Sequence, residues 1–200
     1  MTITQAQIQE RLRESYHAKK TPSTDGYVGR PTEQIVSPIK CAAVLVPLTF
    51  YAGEWQLLFT RRADMMNEHS GQVAFPGGHC DPQDKNFEET ALREADEEIG
   101  LKAKDIQILG RINEVRTVTN FEITPVVGVF PWAYAFSVSC NEVARVFTMP
   151  LNWLANSENY WQFQHPQAQH PTIAYHPYDG ELLWGATARI TVNFLSAIRL

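Results

Sequence analysis

Three glutamates dominate the run Arg93-Glu94-Ala95-Asp96-Glu97-Glu98-Ile99-Gly100-Leu101, because Glu94, Glu97 and Glu98 stand at i, i+3 and i+4. At about 3.6 residues per turn, that spacing puts the three carboxylates on one side of a helix. Leu92, Ala95 and Ile99 fall on an adjacent stripe that suits packing on a core. Gly100 is the natural residue to end the helix. Like charges at this spacing each cost a few tenths of a kcal/mol, and a hard divalent cation with oxygen ligands is the direct way to offset them. In a generic helix the same pattern reads as a solvated acidic face. Two features argue for a site instead. Arg93 directly precedes the first glutamate, where it can brace a carboxylate. The Pro76-Gly77-Gly78 turn lies upstream at a distance that can return backbone carbonyls to the same place.

With its upstream Gly-Gly, this stretch resembles the Nudix box of the nucleoside-diphosphate-linked-X hydrolases. The family pattern runs Gly, five residues, Glu, seven residues, Arg-Glu, an apolar residue, any residue, Glu-Glu, any residue, Gly, apolar. Here Gly78 is followed by five residues, then Asp84 in place of Glu, then eight residues before Arg93. The helical half matches; the loop half carries a shorter acid and one inserted residue. Asp84 is therefore expected to steady Arg93 rather than to touch metal. A second run, Leu57-Leu58-Phe59-Thr60-Arg61-Arg62-Ala63 followed by His69-Ser70-Gly71-Gln72-Val73-Ala74-Phe75-Pro76-Gly77-Gly78, resembles the extra motif of the coenzyme A diphosphatase branch. That branch also tolerates the longer loop with an Asp. The two motifs together cover about residues 57–101.

The resemblance implies a metal site made by Glu94, Glu97, Glu98 and the carbonyl of Gly77, with Arg93, Glu97 and Glu98 acting in catalysis and Mg²⁺ or Mn²⁺ as the ion. A diphosphate resists water because its own negative charge repels a nucleophile. Divalent cations neutralise that charge and lower the pKa of a bound water. Mg²⁺ suits one or two carboxylates plus substrate phosphates. The attacking water needs a base, and Glu142 is the first downstream candidate and Glu122 the second, each otherwise a surface glutamate. Arg61, Arg62 and Arg116 offer forked donors to phosphates, and His69 lies in the branch motif as a phosphate or pantetheine contact or, equally, a loop hydrogen bond. His165, His170 and His176 each precede a proline and match no zinc spacing, so they read as turn residues.

A chain of 200 residues fits one domain with a proper core. Its net charge of −5 argues against bulk nucleic-acid binding, which wants a basic footprint, but not against a phosphate-rich small molecule met by cations. No apolar run approaches a membrane span and no secretory leader is recognisable. The three cysteines, Cys41, Cys80 and Cys140, lie far apart, and their odd count fits a reducing compartment better than a disulfide framework. The reading is a cytoplasmic protein with a small nucleotide substrate, no nucleic-acid or membrane partner, and a homodimer left open.

Residues 3–19 are expected to form an amphipathic helix with Ile3, Ile8 and Leu12 on its apolar stripe and Thr4 as cap. Residues 1–37 make that helix and a polar linker arm, and the hydrolase domain spans 38–200. Strands are expected from Lys40 to near Pro47, at 55–60, 72–75 and 106–113, and from Phe121 to Phe130, where Pro125 suggests a bulge or edge. Met65 and Met66 read as core fillers. The box helix covers 87–99, a short helix starts at 152–154, residues 160–163 and 173–175 form a hairpin, and a helix closes the chain from Trp184 to Ile198. The mixed order points to α+β, and the resemblance implies the α/β/α Nudix sandwich with a mixed sheet and an extra N-terminal helix.

The favoured activity is hydrolysis of coenzyme A or an acyl-CoA to 3′,5′-ADP and 4′-phosphopantetheine or its acyl derivative. The runner-up is a Nudix hydrolase of another nucleoside-diphosphate derivative. The rival from another class is a non-catalytic Nudix-fold sensor, against which the three intact box glutamates argue.

Overall fold

The computed structural model describes residues 2–18, 38–65, 69–117, 119–164 and 171–200. Helix α1 (Gln5–Ala18) begins as expected at Thr4, whose hydroxyl accepts the Gln7 N–H at 3.3 Å. Strand β1 (Lys40–Tyr51) turns through Ala52 and Gly53, both at positive φ, into β2 (Glu54–Arg62). Such a two-residue connection matches the twist of an antiparallel hairpin. Then come β3 (Val73–Ala74), β4 (Gly77–His79), helix α2 (Phe87–Ile99), β5 (Gln107–Arg111), β6 (Val115–Arg116), β7 (Phe121–Val129) and β8 (Val143–Pro150). A short helix α3 (Leu151–Ala155), the hairpin β9 (Tyr160–Phe163) and β10 (Thr172–Tyr175), and helix α4 (Gly185–Ala197) complete the described chain.

β1 through β8 form one mixed sheet. β1 and β7 run parallel in its middle, and the remaining pairings are antiparallel. The small strands β3 and β4 continue the inner edges of β2 and β1 beyond their mutual pairing. Period-two alternation along β1 divides the core. Ala43 and Leu45 meet Ala91, Ala95 and Ile99 of α2, while Val46 and Leu48 meet Ile8 and Leu12 of α1 and Phe194 of α4. The sheet is thus sandwiched between α2 on one face and α1 with α4 on the other, the expected α+β layering.

β1 does not end at Pro47 but continues to Tyr51. Proline lacks the N–H a ladder needs, and Pro47 lies where β1 has left β4, paired at 42–44, and has not yet met β2, paired from Leu48. Pro125 of β7 likewise falls in the gap between β6, paired at 122–123, and β5, paired from Val126. Met65 is 96% exposed and fills no core, and Met66 lies outside the described residues.

The expectation of unpaired thiols is corrected at two positions. Pairing of β1 with β4 sets Ala42 opposite His79, so Cys41 and Cys80 face each other one step further out; they form a disulfide with Cα atoms 5.5 Å apart. Cys140 is free and exposed. Spacing along the chain carried no trace of this, because it is the sheet register that makes the two residues neighbours. No described helix is long and apolar enough to cross a membrane.

Candidate active site

Helix α2 is defined at both ends by its own residues. Asn86 caps the start by accepting the Glu89 N–H at 2.8 Å, and Gly100 closes the end in the left-handed region at φ 70°. Ala91, Ala95 and Ile99 bury against β1, which turns the glutamate side of the helix toward β4. The two glycines of the turn are crowded from different sides, Gly77 by the β1 backbone and Gly78 by the Glu94 carboxylate. A Cβ on Gly77 would lie 2.5 Å from the Ala43 carbonyl oxygen, and one on Gly78 would lie 2.5 Å from the Glu94 carboxylate.

Arg93 is the hub. Its Nη1 donates to Glu94 Oε1 at 2.8 Å and Glu97 Oε2 at 3.1 Å, its Nε to Asp84 Oδ1 at 3.2 Å, and its Nη2 to Asp84 Oδ2 at 2.9 Å and to the His79 carbonyl at 3.0 Å. Asp84 thus takes a two-pronged grip on the guanidinium, as the longer loop and shorter acid suggested. The Thr90 hydroxyl, at 2.9 Å, and the Asp81 N–H, at 3.0 Å, also donate to Asp84. The Arg93 guanidinium, more than any other group, holds the Asp84 carboxyl well below the usual carboxylate range, and Asp84 in turn raises Arg93. No pattern in the chain points to Thr90 or to the His79 carbonyl, since both contacts depend on how the 79–86 loop folds back.

Glu98 points inward and is only 6% exposed. Burial pushes its carboxyl up to about 8; nearby Arg62 pulls it down, Glu94 and Glu142 raise it, and a hydrogen bond from the Gly77 backbone lowers it. Arg62 reaches this side because β2 alternates. Leu58 packs with α2, whereas Leu57 and Phe59 pack on the opposite face, so Arg62 shares the α2 face and Arg61 does not. The Arg62 Nε is buried without a hydrogen-bond partner among the described residues. Glu142 is brought in by the segment that follows β7. There the Ser137 N–H binds the Ile99 carbonyl at 3.0 Å, the Ser139 N–H binds the Glu98 carbonyl at 2.8 Å, and the Glu142 carbonyl accepts the Ala63 N–H at 2.8 Å. The last turn of α2 is strapped to Glu142 in this way.

The structure therefore gathers Arg93, Glu94, Glu97, Glu98, Gly77, Arg62 and Glu142, and sets other residues apart. Arg61 faces the α4 side, where it pairs with Asp64 at 2.6 Å. Arg116 and Glu122 are cross-strand partners joined at 2.6 Å. His69 is exposed in the 63–72 loop with its Nδ1 3.1 Å from Gln72 Oε1. His176 stacks obliquely near Trp161, and His165 and His170 lie outside the described residues. Among the described residues no three His, Cys, Asp or Glu side chains converge to chelate an ion by themselves, because Glu94 and Glu97 turn toward Arg93. The donors are all hard oxygens beside a close backbone turn. They suit a divalent cation held by one or two carboxylates with water and phosphate, rather than a closed protein cage.

A mixed sheet between helices, with an arginine-braced acidic helix laid against a Gly-Gly turn, defines a Nudix-type hydrolase. Residues 40–155 match the NUDIX domain family, and this chain belongs to the Nudix hydrolases, which use divalent metal ions on nucleoside-diphosphate derivatives. It is 41% identical over 150 residues to an uncharacterised Nudix hydrolase, NudL, of Yersinia enterocolitica, which covers 74% of this chain and 76% of that relative. NudL of Yersinia pestis is 37% identical over 150 residues, 74% of this chain and 75% of that one. Among solved structures, the Nudix hydrolase RenU of M. smegmatis superposes with a TM-score of 0.50 at 22% identity, over 60% of this chain and 75% of that one. A MutT/nudix family protein of Enterococcus faecalis gives 0.52 at 13% identity, over 100% of this chain and 76% of the other. These two likenesses bear on the fold alone.

Proposed function

We propose that the protein hydrolyses the diphosphate of coenzyme A or an acyl-CoA, releasing 3′,5′-ADP and 4′-phosphopantetheine or its acyl derivative. Residues 38–200 form the catalytic unit in this reading, preceded by helix α1; the linker expected after it falls on residues 19–37, outside the described residues. A bound Mg²⁺ or Mn²⁺ supplies charge neutralisation at the phosphoryl oxygens and activates water. The oxygens of Glu94, Glu97, Glu98 and the Gly77 carbonyl would hold that ion, one or two of the carboxylates at a time with water and phosphate completing its shell. Arg93 keeps Glu94 and Glu97 aligned, and Asp84 keeps Arg93 in place. Glu142, beside Glu98, accepts the proton of the attacking water. Arg62 takes a phosphoryl oxygen.

The observation that carries the reading is the buried, unpartnered Arg62 Nε on the same face as the box glutamates. A buried donor without a partner costs about 1–3 kcal/mol, and an anionic oxygen arriving with substrate removes that cost. The coenzyme A assignment rests on the 57–78 stretch, whose Arg62 and His69 belong to the branch motif. Arg116 is tied to Glu122 and would contact substrate only by leaving it.

The test is a product assay. The protein with Mg²⁺ or Mn²⁺ is given coenzyme A, ADP-ribose, a dinucleotide and a nucleoside triphosphate, and the products are separated by chromatography. Selective 3′,5′-ADP release supports the proposal. Cleavage of another compound with coenzyme A untouched keeps the hydrolase and discards the substrate. Tight nucleotide binding without turnover under either metal points to the sensor.

A further inference from the structure

A charged cluster that takes no part in the box is built around a turn beyond the family-matching residues 40–155. Tyr178 and Glu181 bracket a tight turn, each N–H bonding the other's carbonyl at 3.0 and 2.9 Å, with Asp179 and Gly180 at φ 50° and 81°. Two left-handed central residues make this the hairpin turn that aspartate-glycine favours. The turn presents two carboxylates to β8: Asp179 bonds Arg145 Nη2, and Glu181 Oε1 lies 3.0 Å from Arg145 Nη1. Glu181 is only 9% exposed. Its second oxygen, Oε2, lies 4.0 Å from Arg61 Nε on β2.

Arg61 and Arg145 are direct partners in the β2–β8 register. Like charges placed opposite one another on a sheet face repel, and Glu181 lies within 4.0 Å of both. From Arg61 the connection runs into the 63–72 loop. Arg61 Nη2 donates to Asp64 Oδ1 at 2.6 Å, and the Asp64 carbonyl accepts the Ser70 hydroxyl at 2.7 Å. A Cβ on Gly71, which sits at φ 68°, would lie 3.2 Å from Asp64 Oδ1. Further on, the Gln72 N–H bonds the His69 carbonyl at 3.2 Å, and the Gln72 carbonyl accepts the Arg62 N–H at 3.0 Å. The described parts of this loop, residues 63–65 and 69–72, meet around Asp64, and Asp64 is tied to the sheet through Arg61.

We propose that Glu181 is a positioning residue for substrate recognition: through Arg61 and Asp64 it places residues 69–72, which present His69 and lead into the Gly-Gly turn. This rests on the proposed function, in which that loop contacts substrate. Arg61 then serves binding from the far face of β2, by fixing the loop rather than by touching phosphate. A loop that visits its competent shape less often lowers apparent affinity by that fraction and leaves the chemistry of bound substrate unchanged.

The experiment compares Glu181→Gln and Glu181→Asp with wild type in the full chain with its divalent cation. Hydrogen exchange at the amides of Arg62, Gly71 and Gln72 is read without substrate, and KM and kcat are read on whichever compound of the product panel the wild type cleaves. Glu181→Gln is expected to speed exchange in the loop and to raise KM roughly three- to tenfold with kcat within about twofold. Glu181→Asp falls between, and Asp64→Asn reproduces the KM change from the other end of the chain of contacts. Unchanged loop exchange overturns the proposal whatever the substrate. So does a lowered melting temperature with KM unmoved, which makes Glu181 merely structural, and so does a fall confined to kcat. If the panel identifies a substrate other than coenzyme A, the assignment of substrate fails while the exchange and KM results still decide Glu181.

Discussion

Arg93 donates five hydrogen bonds to four partners: Asp84, Glu94, Glu97 and the His79 carbonyl. A lysine there keeps the charge but offers a point donor that cannot span those positions. Arg93→Lys is therefore expected to lower kcat about 100-fold, the scale of an ångström-sized misplacement of catalytic groups, with the circular dichroism spectrum retained. Asp84→Asn removes the charged half of the grip and is expected to cost about 1.5–3 kcal/mol at neutral pH, the range for hydrogen bonds between charged groups. The sign with pH follows from the lowered Asp84 pKa. A carboxyl depressed in the folded state stabilises fully above its unfolded pKa, about 3.9, begins to lose that contribution below it, and has lost it only once pH falls through its own lowered folded-state value. Urea unfolding of wild type and Asp84→Asn should differ most at pH 7, with a gap that starts to narrow only below about pH 4 and goes on narrowing toward about pH 2. A gap that stays constant across that range would sink the assignment of the stabilisation to an ionised Asp84.

At the scale of the element, α2 shows how a helix is held in one rotation and one register. Asn86 at the start, the Ala91, Ala95 and Ile99 stripe along its length and Gly100 at its end are all local features, carried by the helix and its two flanking residues. The strap from Ser137 to Glu142 is not local, since it joins the last turn of α2 to a segment that follows β7. Gly100 serves both levels: its φ is 70°, and a Cβ there would lie 2.8 Å from the Ser137 Cβ. Gly100→Ala is expected to cost at least about 1–2 kcal/mol, the penalty of a left-handed non-glycine residue, plus the displacement of Ser137. Denaturant titration measures the loss. A midpoint equal to wild type would mean that the strap does not rest on this glycine.

For the whole molecule, helix α1 and helix α4 share one face of the sheet. Ile8 and Leu12 are buried with Phe194 and Ile198, the Trp55 indole donates to the Ile3 carbonyl at 2.7 Å, and Arg11 donates to the Ile198 carbonyl at 2.5 Å. On the other face, the Cys41–Cys80 disulfide joins β1 to the start of the box loop. Peptide mapping of protein alkylated without reduction should recover Cys41 and Cys80 as one cross-linked pair and Cys140 alkylated. Recovery of three alkylated cysteines would rule out that pairing in the isolated protein.

The box was legible in the sequence because its chemistry is local. Helical spacing alone aligns Glu94, Glu97 and Glu98, an adjacent Arg93 reaches them, and a glycine ends the helix. Apolar runs bounded by turn residues likewise marked most of the long strands. What needed the tertiary structure was every relation set by register between distant strands. The adjacent residues Arg61 and Arg62 look equivalent in the chain, yet sheet alternation sends them to opposite faces, one toward Asp64 and Glu181 and the other toward Glu98. Arg116 found Glu122, and Cys41 found Cys80, through β-pairing. Pro47 and Pro125 sit inside long strands because neighbouring strands leave gaps at those positions. Spacing within one helix is determined by the backbone's own geometry, whereas pairing across a sheet is chosen by the packing of the whole core, and no short stretch of sequence contains that choice.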